Sequence, residues 1–433
     1  INIKVINLYL SILYFIYKKM LRKIISIYIN SFKGLSKEVW YLALVTFINR
    51  AGTMVIPFLS LYLTEKLHFS LSQVGWIMSS FGIGSFIGSW LGGKLTDKIG
   101  FYKVMVWSLL LTGFIFISLQ YITSFLGFIV AIFFTMLIAD SFRPAMYVSL
   151  KAYSRPENQT RSLTLIRLAI NLGFSLGPFL GGIIIAAISY NGLFWVDGLT
   201  CISAIIVFMT ILKEKKNPTQ NKIKKIPISD SNKSVYKDLP YWIFLSIVFI
   251  MGFTFFQLFS TIPLYYREIH KLSEIYIGLL MSLNGILIFI LEMPLIFYLE
   301  KTVINKIKVI FLSLILVSLS FFILNISNWF GFLIISMILI SFAEMLGFPF
   351  TNSFAMDRAQ KGQEGKYMAL YTMAFSLALI FSSKIGMEVI ENYSFNTNWY
   401  LMSFLALIAV FLCFWLIRTL KTQSKLDINL SSK

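Results

Sequence analysis

Twelve long runs of apolar residues, separated by polar connections, organise the sequence. Each run reaches the roughly 18 apolar positions that are typical of a helix crossing a membrane. We place these spans at 39–63, 74–95, 104–121, 124–150, 162–188, 193–212, 240–266, 275–299, 307–325, 330–355, 367–387 and 399–418. The pattern predicts an all-α membrane protein with twelve transmembrane helices in two six-helix bundles.

The polar connections predict how the rest of the chain is organised. Residues 1–19 are interpreted either as a misassigned start, because the chain opens on Ile1 and Met20 begins a basic stretch, or as an interfacial helix. The predicted units are a cytoplasmic N-terminal segment at 1–38, an N-terminal bundle at 39–212, a cytoplasmic basic linker at 213–238, a C-terminal bundle at 239–421 and a cytoplasmic tail at 422–433.

Composition and charge narrow the class of protein. The chain is 58% hydrophobic and 13% charged, whereas soluble domains carry about 25% charged residues, which excludes a soluble enzyme. A net charge of +19 would suggest nucleic acid as the partner of a soluble protein. Here Lys and Arg gather in alternate connections, as the positive-inside rule describes. We therefore expect a multi-pass protein of the cell inner (plasma) membrane, with both termini cytoplasmic, the lipid bilayer as partner and no nucleic acid.

The two halves of the chain are related by an internal repeat with an offset close to 203 residues. The matched pairs are Gly75 with Gly278, Gly82 with Gly285, Tyr62 with Tyr265, Asp97 with Glu300, Lys98 with Lys301 and Lys103 with Lys306. Parallel repeats of this kind place a substrate site between the halves near the bilayer midplane. Rocking one half against the other would then open this site to each side in turn.

A glycine-containing connection follows the second span, in the sequence Gly-Lys-Leu-Thr-Asp-Lys-Ile-Gly-Phe-Tyr-Lys. Gly93 permits close helix approach, and Gly100 permits a tight turn. The segment resembles the cytoplasmic signature of the major facilitator superfamily, although Phe101 and Tyr102 replace its usual basic pair. The resemblance implies a gate latch formed by Gly93, Asp97, Lys98, Gly100 and Lys103, with Asp97 engaged in one conformation and released in the other.

The fifth span contains the segment Gly-Phe-Ser-Leu-Gly-Pro-Phe-Leu-Gly-Gly. Small residues at this spacing let a neighbouring helix approach closely, and a proline can kink the helix where the halves pivot. The segment resembles the motif that antiporters of the superfamily carry at this place. The resemblance implies a helix-packing role for Gly173, Gly177, Pro178, Gly181 and Gly182.

Further similarities point to the drug:proton antiporter branch of the superfamily, over about residues 38 to 418. They are Asn49 to Gly52 in the first span, Asp140 to Pro144 in the fourth and Glu344 to Pro349 in the tenth. The Arg-Gln-Gly sequence of that branch is absent from the fourth span, where Asp140 and Arg143 stand instead. The departure leaves the substrate class open.

Charged residues inside spans are costly and usually functional. Glu344 has no basic residue within a turn on its own helix, and we rank it first as the proton-coupling group, with Asp140 second. A structural alternative pairs Asp140 with Arg50 or Arg143. Glu292 is a further charged residue inside a span, and because it precedes Pro294 it is alternatively interpreted as part of a helix break. The predicted substrate-cavity residues are Asn49, Arg50, Arg143, Arg167 and Asn171.

The favoured function is a proton-coupled antiporter that exports amphipathic or drug-like small molecules by alternating access. The alternative is a proton-coupled symporter that imports a small metabolite, with Arg50, Arg143 and Arg167 holding an anionic group of that metabolite. A membrane enzyme is not supported, because the sequence shows no phosphate-binding loop and no cluster of metal-ligand residues. We expect no cofactor and no metal, protons and a small molecule as partners, and a monomer.

Overall fold

The structure is a computed structural model, and it describes residues 34–155, 158–215, 235–301, 305–359 and 363–431. Within these ranges twelve helices are long and apolar enough to cross a membrane, and no strand occurs. The all-α prediction is therefore confirmed. The expectations about residues 1–33 and most of the linker, 216–234, lie outside the described residues.

Nine spans are single helices, and three are divided into two helical pieces each. In chain order the helices are Lys37–Ala51, Val55–Leu61 with its extension Tyr62–Lys66, Leu71–Ile99, Phe101–Leu119, Phe125–Ala139, Phe142–Tyr153, Gln159–Ala187, Tyr190–Ile211, Leu239–Phe255, Gln257–Glu268, Glu274–Lys301, Lys306–Ile323, Phe330–Arg358, Glu364–Asn392 and Phe395–Ser431. Below, spans are numbered first to twelfth in this order. Because their number is even, the two ends of the spanning region lie on one face of the membrane, here called the terminal face.

The divided spans are the first, the fourth and the seventh, and the apolar pattern gave no sign of these breaks. The first span breaks after Ala51, the fourth at Asp140 and Ser141, and the seventh at Phe256. Irregular backbone at membrane depth is tolerated only where protein groups satisfy its freed N–H and C=O groups. The breaks therefore identify places where neighbouring helices must supply polar partners.

Local geometry repeats at the predicted offset. His68 has a φ of 55° and Lys271 a φ of 53°, and both end the same type of turn on the face opposite the termini. The hydrogen bond from Phe69 N–H to the Leu63 carbonyl recurs from Leu272 to Tyr266. All three correspondences have the offset of 203 that the sequence indicated. The two halves are thus structural repeats.

The halves meet along two seams, one between the fifth and eighth spans and one between the second and eleventh. A Cβ added at Gly278 would lie 2.3 Å from the carbonyl oxygen of Pro178, and one at Gly75 would lie 3.0 Å from the Cα of Lys384. Such distances are possible only where a side chain is missing. Because Gly75 and Gly278 are equivalent in the repeat, the same glycine position allows close helix approach at both seams.

The face opposite the termini is held closed by polar contacts between the halves. Arg267 forms ion pairs with Glu65 of the other half and with Glu274 of its own half, the latter at 3.3 Å. The Tyr190 hydroxyl donates to the second oxygen of Glu65 at 2.8 Å. On the second–eleventh seam, the Ser72 N–H donates to Glu391 at 2.7 Å. These contacts hold the two halves together on this face, which is called the sealed face below.

Candidate functional site

A polar cavity of about 50 Å³ lies inside the N-terminal half, beside the break in the first span. Its polar lining comes from the first, third, fourth and sixth spans and includes Asn49, Arg50, Thr53, Thr112, Asp140, Asp197 and Cys201. A cavity of this size holds at least one water molecule, since one probe-sized water needs only about 10–15 Å³. Two of the predicted cavity residues, Asn49 and Arg50, thus line one chamber together with Asp140.

Asp140 lies at the break of the fourth span and is already paired. Its carboxylate accepts a 3.1 Å hydrogen bond from Arg143 Nη2 and a further one from the Ser85 hydroxyl. Asp140 is buried, whereas the Arg143 side chain is 51% exposed. Of the two partners that the sequence left open for Asp140, the structure forms the pair with Arg143. Arg143 is thus the exposed partner of a buried carboxylate.

Arg50 is placed differently from the other cationic groups. Its Nε is buried and has no hydrogen-bond partner among the described residues, and its guanidinium lies 5.5 Å from the ring centre of Phe174. A cation over an aromatic face is attracted by the ring quadrupole. The neighbouring Asn49 amide donates to the Cys201 sulfur at 3.4 Å. Arg50 is therefore held by packing and by an aromatic ring in place of a carboxylate.

Glu344 lies midway along the tenth span in the C-terminal half. The Asn284 amide, from the eighth span, donates to its Oε2 at 3.1 Å and also to the Ser341 hydroxyl at 3.1 Å. Glu344 forms no ion pair within the described ranges, and a second small cavity, of about 10 Å³, adjoins it. It is a carboxyl group fixed by a neutral donor.

Glu292 joins the two halves. Its carboxylate forms an ion pair with Arg167 of the fifth span and accepts a 3.2 Å hydrogen bond from the Asn171 amide. The eighth span remains helical through Pro294, and the assignment of Glu292 to a helix break is wrong. The Arg167 side chain is 44% exposed, whereas Glu292 is buried. Two predicted cavity residues, Arg167 and Asn171, are thus brought to a carboxylate across the seam.

The predicted gate residues lie at the terminal face and are exposed or unpacked. A Cβ at Gly93 would meet nothing within 4 Å, and Gly100 ends the second span with a φ of 93°. Asp97 forms no ion pair or hydrogen bond with the residues that the structure describes, and Lys98 and Lys103 are exposed. The side chains of Glu300 and Lys301, the counterparts in the second half, lie outside the described set. This conformation leaves the predicted latch disengaged.

The fifth-span glycines contact two different helices. Cβ atoms at Gly173 and Gly181 would lie 2.5 Å from the Arg50 Cβ and 3.0 Å from the Phe58 ring, whereas one at Gly182 would lie 2.4 Å from the Glu274 carbonyl oxygen. Gly177 would place its Cβ 3.0 Å from the Thr53 carbonyl oxygen. The helix continues through Pro178. One face of the fifth span therefore packs on the broken first span, and the other packs across the seam.

Sequence reasoning missed Asp197, in the sixth span. This residue is 1% exposed, and its two carboxylate oxygens accept the backbone N–H groups of Met54 and Val55 at 2.9 and 3.0 Å. Those are the donors that the break in the first span frees. An aspartate inside a predicted span is itself a strong signal, because such a charge costs roughly 2.5–3.5 kcal/mol at a helix centre. The sequence alone could therefore have singled out Asp197, but only the structure shows the two N–H groups that it binds.

The molecule thus combines twelve spans in two repeated halves with charged groups buried between them, and this defines a secondary transporter. A family model of the Major Facilitator Superfamily matches residues 42–306 and 272–432. The chain belongs to this superfamily and is a transport protein.

Relatives with sequence similarity are transporters of several kinds. An uncharacterized MFS-type transporter of Bacillus subtilis, YttB, is 23% identical over 88% of this chain and 95% of its own length. A Na(+), Li(+), K(+)/H(+) antiporter of Planococcus maritimus is 21% identical over 86% of this chain and 93% of its own length. Multidrug resistance protein 2 of Bacillus subtilis is 26% identical over 48% of this chain and 54% of its own length.

Solved structures with the same fold are also transporters. A POT family transporter in complex with a thioalcohol-conjugated peptide superposes with a TM-score of 0.73 at 14% identity, covering 90% of this chain and 97% of that one. The nucleoside transporter NupG superposes with a TM-score of 0.68 at 14% identity, covering 88% of this chain and 99% of that one. At this identity the similarity concerns the fold alone.

Proposed function

We propose that the protein is a proton-coupled antiporter that exports amphipathic or drug-like small molecules, acting as a monomer. The observation that carries this proposal is Glu344, a carboxyl group at membrane depth that is bound by the Asn284 amide and by no cation in the described chain. A carboxyl group without a counter-ion takes up a proton more readily than one fixed in an ion pair, because no cation stabilises its charged form. The relatives include a Na(+), Li(+), K(+)/H(+) antiporter and a multidrug resistance protein, and these names support proton-coupled exchange and drug-like substrates.

Coupling follows from the eighth span, because Asn284, which binds Glu344, and Glu292, which binds Arg167 of the other half, both lie on it. When the cavity faces outward, Glu344 takes up a proton; when it faces inward, the proton leaves and the substrate binds. Asp140 is the second candidate for the proton-coupling group. Its ion pair with Arg143 makes it the weaker one, because a fixed counter-ion favours the charged form.

We further propose that the termini are cytoplasmic and that the protein lies in the cell inner membrane. Lys94, Lys98 and Lys103 lie at the terminal face, as the positive-inside rule requires of cytoplasmic connections. In that orientation the sealed face is the outer one, and the disengaged latch at Asp97 belongs to an inward-open conformation. The latch would engage when the cytoplasmic side closes. Arg143 and Arg167 would line the route by which a substrate enters.

Import of an anionic metabolite remains the second candidate, and Arg50 is the observation that favours it. Its Nε is buried without a hydrogen-bond partner in the described chain. A carboxylate or phosphate of a substrate would fit this donor and would replace the weaker contact with Phe174. Direction of flux separates the two candidates.

The test uses a fluorescent lipophilic cation in efflux-deficient cells that express the wild type, Glu344→Gln or an empty vector. We expect the wild type to lower accumulation several-fold, and Glu344→Gln or a protonophore to abolish the difference, because no proton can then be exchanged. Glu214→Gln removes an exposed carboxylate at the terminal face and is the matched control, which should transport normally. Equal accumulation in all cells, despite equal amounts of protein in the membrane, would overturn cation export.

A further inference from the structure

Four carboxyl groups lie well inside the spans, and they divide evenly between the halves. In each half one carboxylate is paired: Asp140 with Arg143, and Glu292 with Arg167. In each half one has no cation partner within the described residues: Asp197 and Glu344. Buried acidic groups are normally paired with a cation. The exceptions therefore need an explanation in both halves.

Asp197 is a more demanding exception than Glu344, because it is almost completely buried. Its hydrogen-bond donors among the described residues are the N–H groups of Met54 and Val55, one for each carboxylate oxygen. These donors explain why an acidic group is there, since they stabilise negative charge at the start of a helix. A neutral asparagine would satisfy only one of them with its single oxygen. They do not explain why no cation accompanies the carboxylate.

The surroundings of Asp197 offer a path for a proton. Asp197 lines the same cavity of about 50 Å³ as Asp140, and that volume has room for water beside polar partners. Asp140 in turn contacts Arg143, whose side chain is 51% exposed. Water in this cavity would connect Asp197 to the open side of the transporter.

The other groups that face this cavity define its charge. They are Arg50 from the first span, Asp140 with its partner Arg143 from the fourth span, and Cys201 on the same helix as Asp197. The third-span lining residues, Leu109, Thr112 and Phe116, carry no charge, and the fifth span contributes no described residue to the lining. One cation, Arg50, and one other carboxylate, Asp140, therefore share the cavity with Asp197 without forming an ion pair with it, and Arg143 is present only as the partner of Asp140.

We propose that the transporter carries two protons in each cycle, one on Glu344 in the C-terminal half and one on Asp197 in the N-terminal half. The Glu344 site rests on the proposed function, whereas the Asp197 site rests on its own geometry. Proton binding converts the Asp197 carboxylate to a carboxylic acid, which weakens its hold on one of the two N–H groups. The first span then loosens at its break, next to Arg50, and regains its anchor when the proton leaves.

Infrared difference spectroscopy of the purified protein in vesicles of phosphatidylethanolamine and phosphatidylglycerol tests this without a known substrate. As the pH falls from about 9 to about 5, each buried carboxyl group that is protonated adds a C=O stretching band. We expect two bands in the wild type, loss of one in Asp197→Asn, loss of the other in Glu344→Gln and loss of both in the double variant. Asp357→Asn, an exposed position at the terminal face, should retain both.

Each outcome of the spectroscopic test has one meaning. An unchanged titration in Asp197→Asn overturns the second proton site. The proposal is also overturned if the second band is lost in Asp140→Asn but not in Asp197→Asn. Loss of a band in Asp197→Asn with none in Glu344→Gln retains Asp197 and refutes Glu344 as the carrier. Asp197→Glu, which keeps the carboxyl group, controls for folding and should retain two bands.

The coupling ratio provides the second measurement. Vesicles with the membrane potential clamped at zero are loaded with ethidium as the probe, and the pH difference at which net flux reverses is recorded. For a tenfold ethidium gradient, two protons balance it at about 0.5 pH unit and one proton at about 1 unit. We expect the pH difference at which flux reverses to be twice as large in Asp197→Asn as in the wild type. The same reversal point in wild type and variant would overturn the proposal.

Discussion

At the residue scale, the carboxyl groups inside the spans show what a side chain needs at membrane depth. Asp140 and Glu292 have arginine partners, Glu344 has an amide, and Asp197 has two backbone N–H groups. Each of these arrangements provides hydrogen bonds to the carboxylate oxygens, which the hydrocarbon core of a membrane cannot provide. Only the last two leave the net negative charge in place. These are the residues at which proton exchange is least opposed by a fixed cation.

His270, in the connection after the seventh span, gives a prediction about stability. Its ring packs edge-on against Tyr265 at 4.9 Å, its Nε2 is buried without a partner in the described chain, and burial lowers the pKa of the imidazole. Because the folded pKa lies below the unfolded value of about 6.5, protonation favours the unfolded state. Stability should therefore fall as the pH falls through about 6.5 and level off below the folded pKa.

The measurement for His270 is the thermal unfolding midpoint of the purified protein between about pH 8 and pH 5. We expect the midpoint of His270→Gln to decline less than that of the wild type over this range, since glutamine does not titrate. Both proteins are compared first at about pH 8, where the imidazole is neutral, to separate the loss of packing from the loss of charge. Identical declines would show that burial of His270 does not contribute.

At the element scale, the glycines of the seams determine how closely the halves approach. Cβ atoms added at the seam glycines would lie 3.0 Å or less from the partner helix, at Gly75, Gly82, Gly182, Gly278 and Gly285. The fifth-span glycines Gly173, Gly177 and Gly181 are equally close to the first span. The fifth span is therefore fixed on two sides. The first span and the C-terminal half therefore both pack closely against the fifth span.

Replacement of Gly278 by valine tests this packing. The new Cβ would lie 2.3 Å from the Pro178 carbonyl oxygen, which is backbone and cannot rotate away. Overpacking of this kind typically costs about 1–3 kcal/mol, that is roughly a 5- to 150-fold shift away from the closed seam. We expect transport to fall by about tenfold or more, measured as initial efflux rate per transporter. Leu279→Val, one position along on the exposed face, is the matched control, and equal rates in both variants would contradict the packing argument.

Three spans, the first, the fourth and the seventh, are broken within the membrane-spanning region. The apolar pattern indicated where spans run, because hydrophobicity is a local property of the sequence. It could not indicate the breaks at Ala51, Asp140 and Phe256, because a break is stable only when another helix supplies hydrogen bonds. In the first span that partner is Asp197, about 140 residues away. The first and seventh spans are equivalent in the repeat, and both are broken near their middle. The break is therefore a feature of the repeated unit.

At the scale of the whole molecule, the polar contacts across the halves determine which face is closed. Arg267 pairs with Glu65 across the sealed face, and Glu391 accepts the Ser72 N–H on the neighbouring seam. Arg267 and Glu65 remain about one-third exposed, and such pairs contribute only about 0.2–1 kcal/mol. A small energy of this size suits a gate that must open in every cycle.

Arg267→Gln should therefore shift the population toward the conformation that is open on this face. We expect a roughly 1.5- to 5-fold increase in the open population, measured as the distance distribution between spin labels at Lys66 and Lys271 in a background lacking Cys201 and Cys413. Lys237→Gln, at the terminal face, is the control. A distribution unchanged from the parent protein would show that the ion pair does not hold the face closed.

The sequence by itself determined the class of protein, the number of spans, the repeat and the two glycine motifs. Hydrophobic runs, charge in connections and residue spacing are one-dimensional properties, and each has a direct physical meaning in a bilayer. Glu344 was found in the same way, since a carboxyl group in a span is costly wherever it lies.

Only the tertiary structure decided which charges meet. It paired Glu292 with Arg167, chose Arg143 over Arg50 for Asp140 and brought Asp197 to the break in the first span. Ion pairs and hydrogen bonds depend on distances of about 3 Å, whereas the residues concerned are up to 143 positions apart in the chain. Such distances arise only when twelve helices pack, because the same sequence pattern is compatible with many pairings.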